Sequence, residues 1–315
     1  MTLLDFLQLD LPAGLTAVLA SSLCAMLGNF LVLRRQALVG DAISHAVLPG
    51  IVVGFVLAGS RDTVTVMLGA TAAAALAAVL IEAVRRLGRV EAAASMGVVF
   101  TVMFAGGVVL IEQAAAHAVD LDADCVLYGQ LEDVLWLAPT GLASLLDPAA
   151  LAELPRELVT LAAMNLAVGL LIALFWKELR ITSFDPALAS AIGIPAGLFH
   201  YGLVLLLALA AVASFEAVGS ILVVAMLACP AAAARMLTDR YGRQFALSLA
   251  IGTGSGLLGY TLAGPLLLLL GMDWSLNAAG MIAVVAGAVL VLAVLFGPHH
   301  GVLAKRRARR MAGAV

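Results

Sequence analysis

The sequence predicts an all-α integral membrane protein, a polytopic bundle of about eight or nine transmembrane helices in one domain over residues 1–315. Three observations lead there. Of the 315 residues, 63% are hydrophobic and 12% charged, against about 45–50% apolar and about 25% charged in an ordinary globular domain. The mean hydropathy is +1.11. Nine apolar stretches of about 17–25 residues can be marked, each long enough to cross a bilayer as a helix. They lie near 13–33, 42–59, 64–84, 93–111, 159–176, 197–213, 217–234, 245–270 and 277–297.

The first stretch follows Asp5 and Asp10, acids where a signal peptide would carry a basic region, so no signal peptide is expected. It contains Cys24. With Cys125 and Cys229 far away and no CxxC pair, neither a disulfide framework nor a cysteine metal site is predicted.

The second stretch opens on the most informative segment, RRQALVGDAISHAVLPG (34–50). Helical spacing puts Asp41 and His45, four residues apart, on one face. A carboxylate near the bilayer interior costs about 2.5–3.5 kcal/mol or more, so such groups usually face a cavity and often line an ion pathway. Carboxylate plus imidazole suits Zn²⁺, Mn²⁺ or Fe²⁺ and does not choose among them. The plainer alternative, that both residues only fasten helices together, is left open by the residues alone. If the chain stays helical from the Arg34/Arg35 pair, Asp41 lies only about 9–10 Å further in. An extended Gln36–Gly40 stretch, at about 3.3 Å per residue, would carry it to mid-membrane.

Between the fourth and fifth stretches lies Glu112–Glu157, with nine acids and one base. It reads as a solvated loop with a short helix near Ala123–Leu137, too short to be a domain of its own. Its like charge could concentrate a cation or steer a basic partner.

The turn after the fifth stretch, KELRITSFDPALASAIG (177–193), carries a well-capped short helix. Asp185 is a good N-cap, Pro186 fits the first helical position, and Gly193 is a C-terminal stop. Ala189 is expected to lie on a small docking surface. Docking to a soluble partner and a re-entrant packing element are both compatible with these residues.

The sixth and seventh stretches meet around Ser214–Gly219, as two spans with a tight turn or as one broken helix. In the eighth, Gly254–Gly259 matches G-x-G-x-x-G. It lies inside an apolar helix with no preceding strand, so close helix packing is the expectation, not a dinucleotide site. His299 and His300 suit the C-terminal dipole of the last helix; His117 and His200 read as structural or surface groups. The only lysines, Lys177 and Lys305, are followed by Glu178 and Arg306. No Walker-type loop can exist, and no enzymatic activity is expected of this chain.

Orientation follows from the basic residues. With the C-terminal tail (298–315) cytoplasmic, alternation of nine spans puts 15 of the 17 Lys and Arg inside, leaving only Arg61 and Arg156 outside. The N-terminus and the acidic segment are then outside.

Four motifs occur in one order: RRQALVGDAISHAVLPG (34–50), VDLDADCVLYGQL (119–131), KELRITSFDPALASAIGI (177–194) and ASFEAVGSILVVAMLACPAAAARML (213–237). Together they resemble the permease subunit of the bacterial zinc/manganese/iron ABC transporters, over about residues 12–300. The resemblance implies a core similar to the vitamin B12 and siderophore importers, in the bacterial cytoplasmic membrane. It implies two paired permeases (a homodimer or related paralogues), ABC ATPase subunits that bind ATP, and an extracytoplasmic metal-binding protein. No tightly bound cofactor and no nucleic-acid partner are implied. Asp41 and His45 match a D-x-x-x-H pair implicated in metal passage. Ser183, Phe184, Asp185 and Pro186, with the helix through Ala189 to Gly193, match the element that couples to the ATPase. Glu216 falls at a position usually taken by glutamine or another polar residue, and is a candidate gate. One stretch departs: before the last span, relatives often read D-x-P-[ST]-G-A, where this chain has Asp273–Gly280 without the proline.

The function so implied is ATP-driven import of Mn²⁺, Zn²⁺ or Fe²⁺. A secondary metal transporter is the rival. It would show paired discontinuous helices in an inverted repeat and more intramembrane carboxylates, and neither is evident in the sequence.

Overall fold

The computed structural model describes residues 3–34, 36, 40, 42, 45–58, 63–115, 129, 131–271, 276–298 and 301–303, and among these there is no strand. The principal helices are α1 (Leu11–Leu33), α2 (Leu48–Ala58), α3 (Thr63–Gly88), α4 (Ala92–Ala115) and α5 (Arg156–Leu174). They continue as α6 (Trp176–Phe184), α7 (Pro186–Ala191), α8 (Ala196–Val218), α9 (Ser220–Leu237), α10 (Tyr241–Ala263) and α11 (Ala278–Phe296). A π-helical turn, Phe6–Asp10, leads into α1.

Each of the nine predicted stretches is occupied by a helix. Among the described residues, seven are long and apolar enough to cross a membrane: Leu3–Leu33, Val64–Gly88, Ala93–Gln113, Arg156–Leu174, Ala196–Phe215, Tyr241–Leu268 and Ala278–Phe296. The second and seventh positions hold shorter apolar helices, Leu48–Leu57 and Leu222–Leu237.

A helix that is apolar all round belongs inside a bundle, and α1 is such a helix. Every residue from Ala20 to Leu31 is buried, with α5, α8, α9 and α10 packed around it. Polar groups inside this core hold particular helices together. Gln244 Nε2 of α10 donates to Asn29 Oδ1 of α1 (3.3 Å), and Asn29 Nδ2 donates to Ala25 O (2.7 Å). Ser248 Oγ donates to the same carbonyl at 3.2 Å. The glycine run of α10 serves packing, as its apolar context predicts: Gly256 lies against Ala17 and Ser21, and Gly259 against Ile282 of α11.

The α2–α3–α4 group forms a satellite, joined to the main core where α3 meets α8. Its seam is a small-residue crossing. Gly50 and Gly54 of α2 face Gly69 and Thr65 of α3, and a Cβ on Gly50 would lie 2.6 Å from Ala73 Cβ. Such approach lets two backbones make van der Waals contact without lipid between them.

The sixth and seventh predicted stretches are two antiparallel helices that reverse at Gly219. Its φ of 80° and ψ of 156° suit glycine almost alone. The reversal is fixed by what meets at the other ends. His200, near the start of α8, and Arg235, near the end of α9, line the same cavity. A continuous helix would hold them about 50 Å apart. The same cavity collects Arg34 from the end of α1, Glu82, Arg85 and Arg86 from α3, and Phe184 and Pro186 from the α6–α7 junction. Four of the basic positions that orientation groups on one face, Arg34, Arg85, Arg86 and Arg235, therefore share one end of the bundle. α11 also ends there, since Gly297 packs on the carbonyl of Met236.

The opposite end is closed by the described part of the acidic segment from residue 131 on, which is anchored rather than merely solvated. Leu131 and Trp136 are buried. The Trp136 backbone N–H donates to Gln8 O (2.9 Å), and its indole N–H donates to Ala150 O (3.0 Å). Gly129, at φ 74°, lies so close to the reversal that a Cβ would be 2.5 Å from Gly219 N. Tyr260 donates to Asp10 at 3.0 Å. The helix expected near Ala123–Leu137 is corrected where it can be seen: residues 131–133 form a 3₁₀ turn and 134–139 are irregular. The α-helical turn is Pro148–Ala152 instead, because Asp147 caps it at Ala149 N and Pro148 takes its first position. The departing stretch before α11 has a use too. Asn277 accepts from Gly280 N and Glu132 from Ala278 N, so two side chains cap α11.

Candidate functional site

His45 lies just before α2 and packs against two rings of α4, Phe100 (centroids 5.2 Å apart) and Phe104 (5.1 Å). These rings sit about 12–18 Å along α4 from its start at Ala92, the middle of that helix. His45 is thus at mid-depth. The return is visible at Gly40, where a Cβ would sit 3.0 Å from the Leu31 and 3.5 Å from the Leu227 side chain. Leu227 is level with Gly28, four residues before α1 reaches Val32. The chain has therefore turned back into the bundle by residue 40. Asp41 lies outside the described residues. Glu216 is in the last turn of α8, three residues before the Gly219 reversal.

The short helix predicted after Asp185 is present, with the caps its spacing predicts. Asp185 Oδ1 accepts from Ala187 N (3.1 Å) and Leu188 N (2.9 Å), and Pro186 opens α7. Gly193, at φ 88°, ends it. Gly193 N donates to Ser190 O and Ile194 N to Ala189 O, the paired bonds of a Schellman stop. One expectation is corrected. Ala189 is 0% exposed and faces the bundle, because α7 packs that side on α6 and α8. The outward ridge is Phe184, Leu188 and Ile192, with Leu188 53% exposed.

The arm that carries α7 is keyed into the core by aromatic rings. Trp176 stacks on Tyr241 (5.0 Å) and meets Phe245 edge-on (5.2 Å), and Phe184 approaches Tyr241 at 6.0 Å. Beside Phe184, Ser183 Oγ accepts from Arg34 Nε at 3.2 Å. Burial draws the Arg34 pKa below the ordinary arginine value, with Tyr241 opposing; the guanidinium remains charged.

The profile of the ABC 3 transport family matches residues 6–297. The chain belongs to that family. It is 40% identical over 291 residues to the manganese transport system membrane protein MntD of Bacillus subtilis (strain 168), covering 92% of this chain and 93% of that one. It is 38% identical over 290 residues to the zinc transport system membrane protein TroD of Treponema pallidum (strain Nichols), covering 92% and 74%. Among solved structures, PsaBC from Streptococcus pneumoniae in complex with Fab matches with a TM-score of 0.73 at 30% identity, over 91% of each chain.

For this ABC 3 family member, sequence reasoning missed two parts of the site. The aromatic key of the arm that carries α7 comes from α6 and α10, far apart in the chain, and no local pattern announces it. Arg34 and His200 were counted only as a surface charge and a lone histidine. Their positions at helix ends beside two motifs were the available signal.

Proposed function

We propose that the chain is the permease subunit of an ATP-driven importer that carries a divalent transition metal into the cytoplasm: manganese, zinc or iron. The observation that carries this reading is the depth of His45, a metal donor half-way through the bundle and four residues from Asp41. The likeness to manganese and zinc transport proteins supports the class of cargo. Asp41 and His45 act as transient ligands, with water or groups of a second permease completing the shell, since a full shell would trap the ion. The capped α7, with its apolar ridge at the basic end, is the dock for an ABC ATPase that binds ATP. An extracytoplasmic metal-binding protein delivers the ion at the opposite end, and a second permease, identical or paralogous, completes the pore. Glu216 stands beside the outer reversal as a gate.

The test is ATP-dependent uptake by the complete complex in proteoliposomes, with Mn²⁺, Zn²⁺ and Fe²⁺ offered separately. Accumulation of at least one, dependent on both ATP and the binding protein, is expected. Uptake driven by a proton gradient without ATP would favour a secondary transporter and overturn the reading.

The basic end faces the cytoplasm in this reading, and the 129–155 segment faces out. Single cysteines introduced after replacing Cys24, Cys125 and Cys229 check it with an impermeant reagent on intact cells. Position 142 should label and position 180 should not; the reverse pattern would invert the topology.

A further inference from the structure

We propose that Arg34 is a positioning residue that ties the coupling arm to the metal-bearing segment, and that His200 makes the tie sensitive to acid. This rests on the import reading above. Arg34 caps the end of α1, and six residues later Gly40 already lies back against Leu31 and Leu227, on the way to His45. Its guanidinium spans two other elements: Nε donates to Ser183 Oγ (3.2 Å) at the end of α6, and Nη1 donates to His200 Nδ1 (3.0 Å) in α8. A planar fork with fixed donor directions cannot follow Ser183 and His200 if they move apart; one bond must break.

The arm has a pivot and room to move. Trp176 anchors its base in the aromatic cluster, and its tip, Thr182–Phe184, forms one wall of a cavity of about 950 Å³. The same cavity is lined by Arg85 and Arg86 of α3 and Tyr201 of α8. A load on the Leu188 ridge passes through the Asp185 cap to Ser183, and from there to Arg34 and the returning chain. Coupling of this kind requires an element with two arrangements that both sites bias; the Arg34 fork, made or broken, is that element.

The chemistry of the second contact sets its pH response. Arginine has no acceptor, so His200 Nδ1 must accept, which requires a neutral imidazole with its proton on Nε2. Protonation leaves no acceptor and places a second cation against Arg34. The charged groups around His200 are Arg34 from α1, Glu82, Arg85 and Arg86 from α3, and Arg235 from α9. Glu82 is engaged by Arg85 and Arg86. Acid on the basic side of the bundle therefore opens the fork.

The experiment measures metal moved per ATP hydrolysed by the complete complex in proteoliposomes, with the metal that wild type transports. Arg34→Gln should lower this ratio about tenfold, the size expected for losing a hydrogen bond from a charged donor, while the ATPase still co-purifies. His200→Gln keeps an acceptor oxygen but cannot protonate. With metal saturating, so that ligand protonation at His45 does not enter, its ratio should match wild type at about pH 7.5 and stay flat as the basic side is acidified well below the ordinary histidine range of about 6.5, where wild type falls several-fold. An unchanged ratio in Arg34→Gln overturns the proposal. If that variant fails to assemble, the pH profiles decide alone, and superimposable wild-type and His200→Gln profiles overturn it. No ATP-dependent uptake by wild type would overturn the import reading, and this inference with it.

Discussion

Metal uptake by the reconstituted complex is expected to vanish when Asp41 is replaced by Asn and His45 by Ala, while expression, insertion and ATPase association stay near wild type. The expectation follows from depth. His45 lies against Phe100 and Phe104 in the middle of α4, where an ion that has shed its water needs donors from the protein. Asn keeps the shape of Asp41 and removes its charge; Ala removes the imidazole outright. Loss of even an outer-sphere partner typically costs about 10–100-fold in metal affinity, so losing two direct ligands should exceed about 100-fold. Because Ala also vacates space beside two rings, His45→Phe is the sharper companion: it refills the aromatic contact and offers no lone pair. It should fail as His45→Ala does. Apparent affinity in wild type should also fall as pH drops through the ordinary histidine range near about 6.5, since an imidazolium cannot ligate. A double substitution that transports at unchanged rate and affinity would make the pair structural.

Leu188→Arg should release the ATPase. The side chain is 53% exposed at the crest of α7, between Phe184 and Ile192 on the same ridge. Burying a leucine against a partner is worth about 1.5–3 kcal/mol, so replacing it with a cation should weaken ATPase association at least about tenfold, a loss of about 1.4 kcal/mol. Folding of the permease should be spared, because α7 keeps its Asp185 cap and its Gly193 stop. Co-purification and transport-linked ATP hydrolysis are the readouts. Ala189→Arg is the contrasting variant. With Ala189 fully buried, it should lower thermal stability as well as association, since a long side chain must be forced between α7 and the bundle. Wild-type association in Leu188→Arg would mean that the ridge packs only against lipid or solvent.

Much of the architecture was legible because its causes are local. Apolar runs long enough to span a bilayer do not depend on their neighbours to be helical, so all nine stretches were readable from composition alone. The caps of α7 were equally so. Asp185, Pro186 and Gly193 act on backbone groups within four residues of themselves, and the observed bonds are those the spacing predicts. The grouping of basic residues at one end also held for Arg34, Arg85, Arg86 and Arg235, because charge selects a side for each helix end separately.

Tertiary structure alone decided the rest. Whether Ser214–Gly219 breaks one helix or joins two depends on where the far ends of α8 and α9 go, and only the shared cavity of His200 and Arg235 reveals it. The depth of His45 is a relation to α4, whose phenylalanines lie more than fifty residues away. The side of α7 that faces outward is fixed by the bundle beneath it, which is why Ala189 turned inward against expectation. The Arg34 fork joins residues 34, 183 and 200. A sequence encodes hydrogen-bonding capacity at each such position, but a partner is chosen by packing across the fold, and in this chain packing decided which polar groups at the basic end meet.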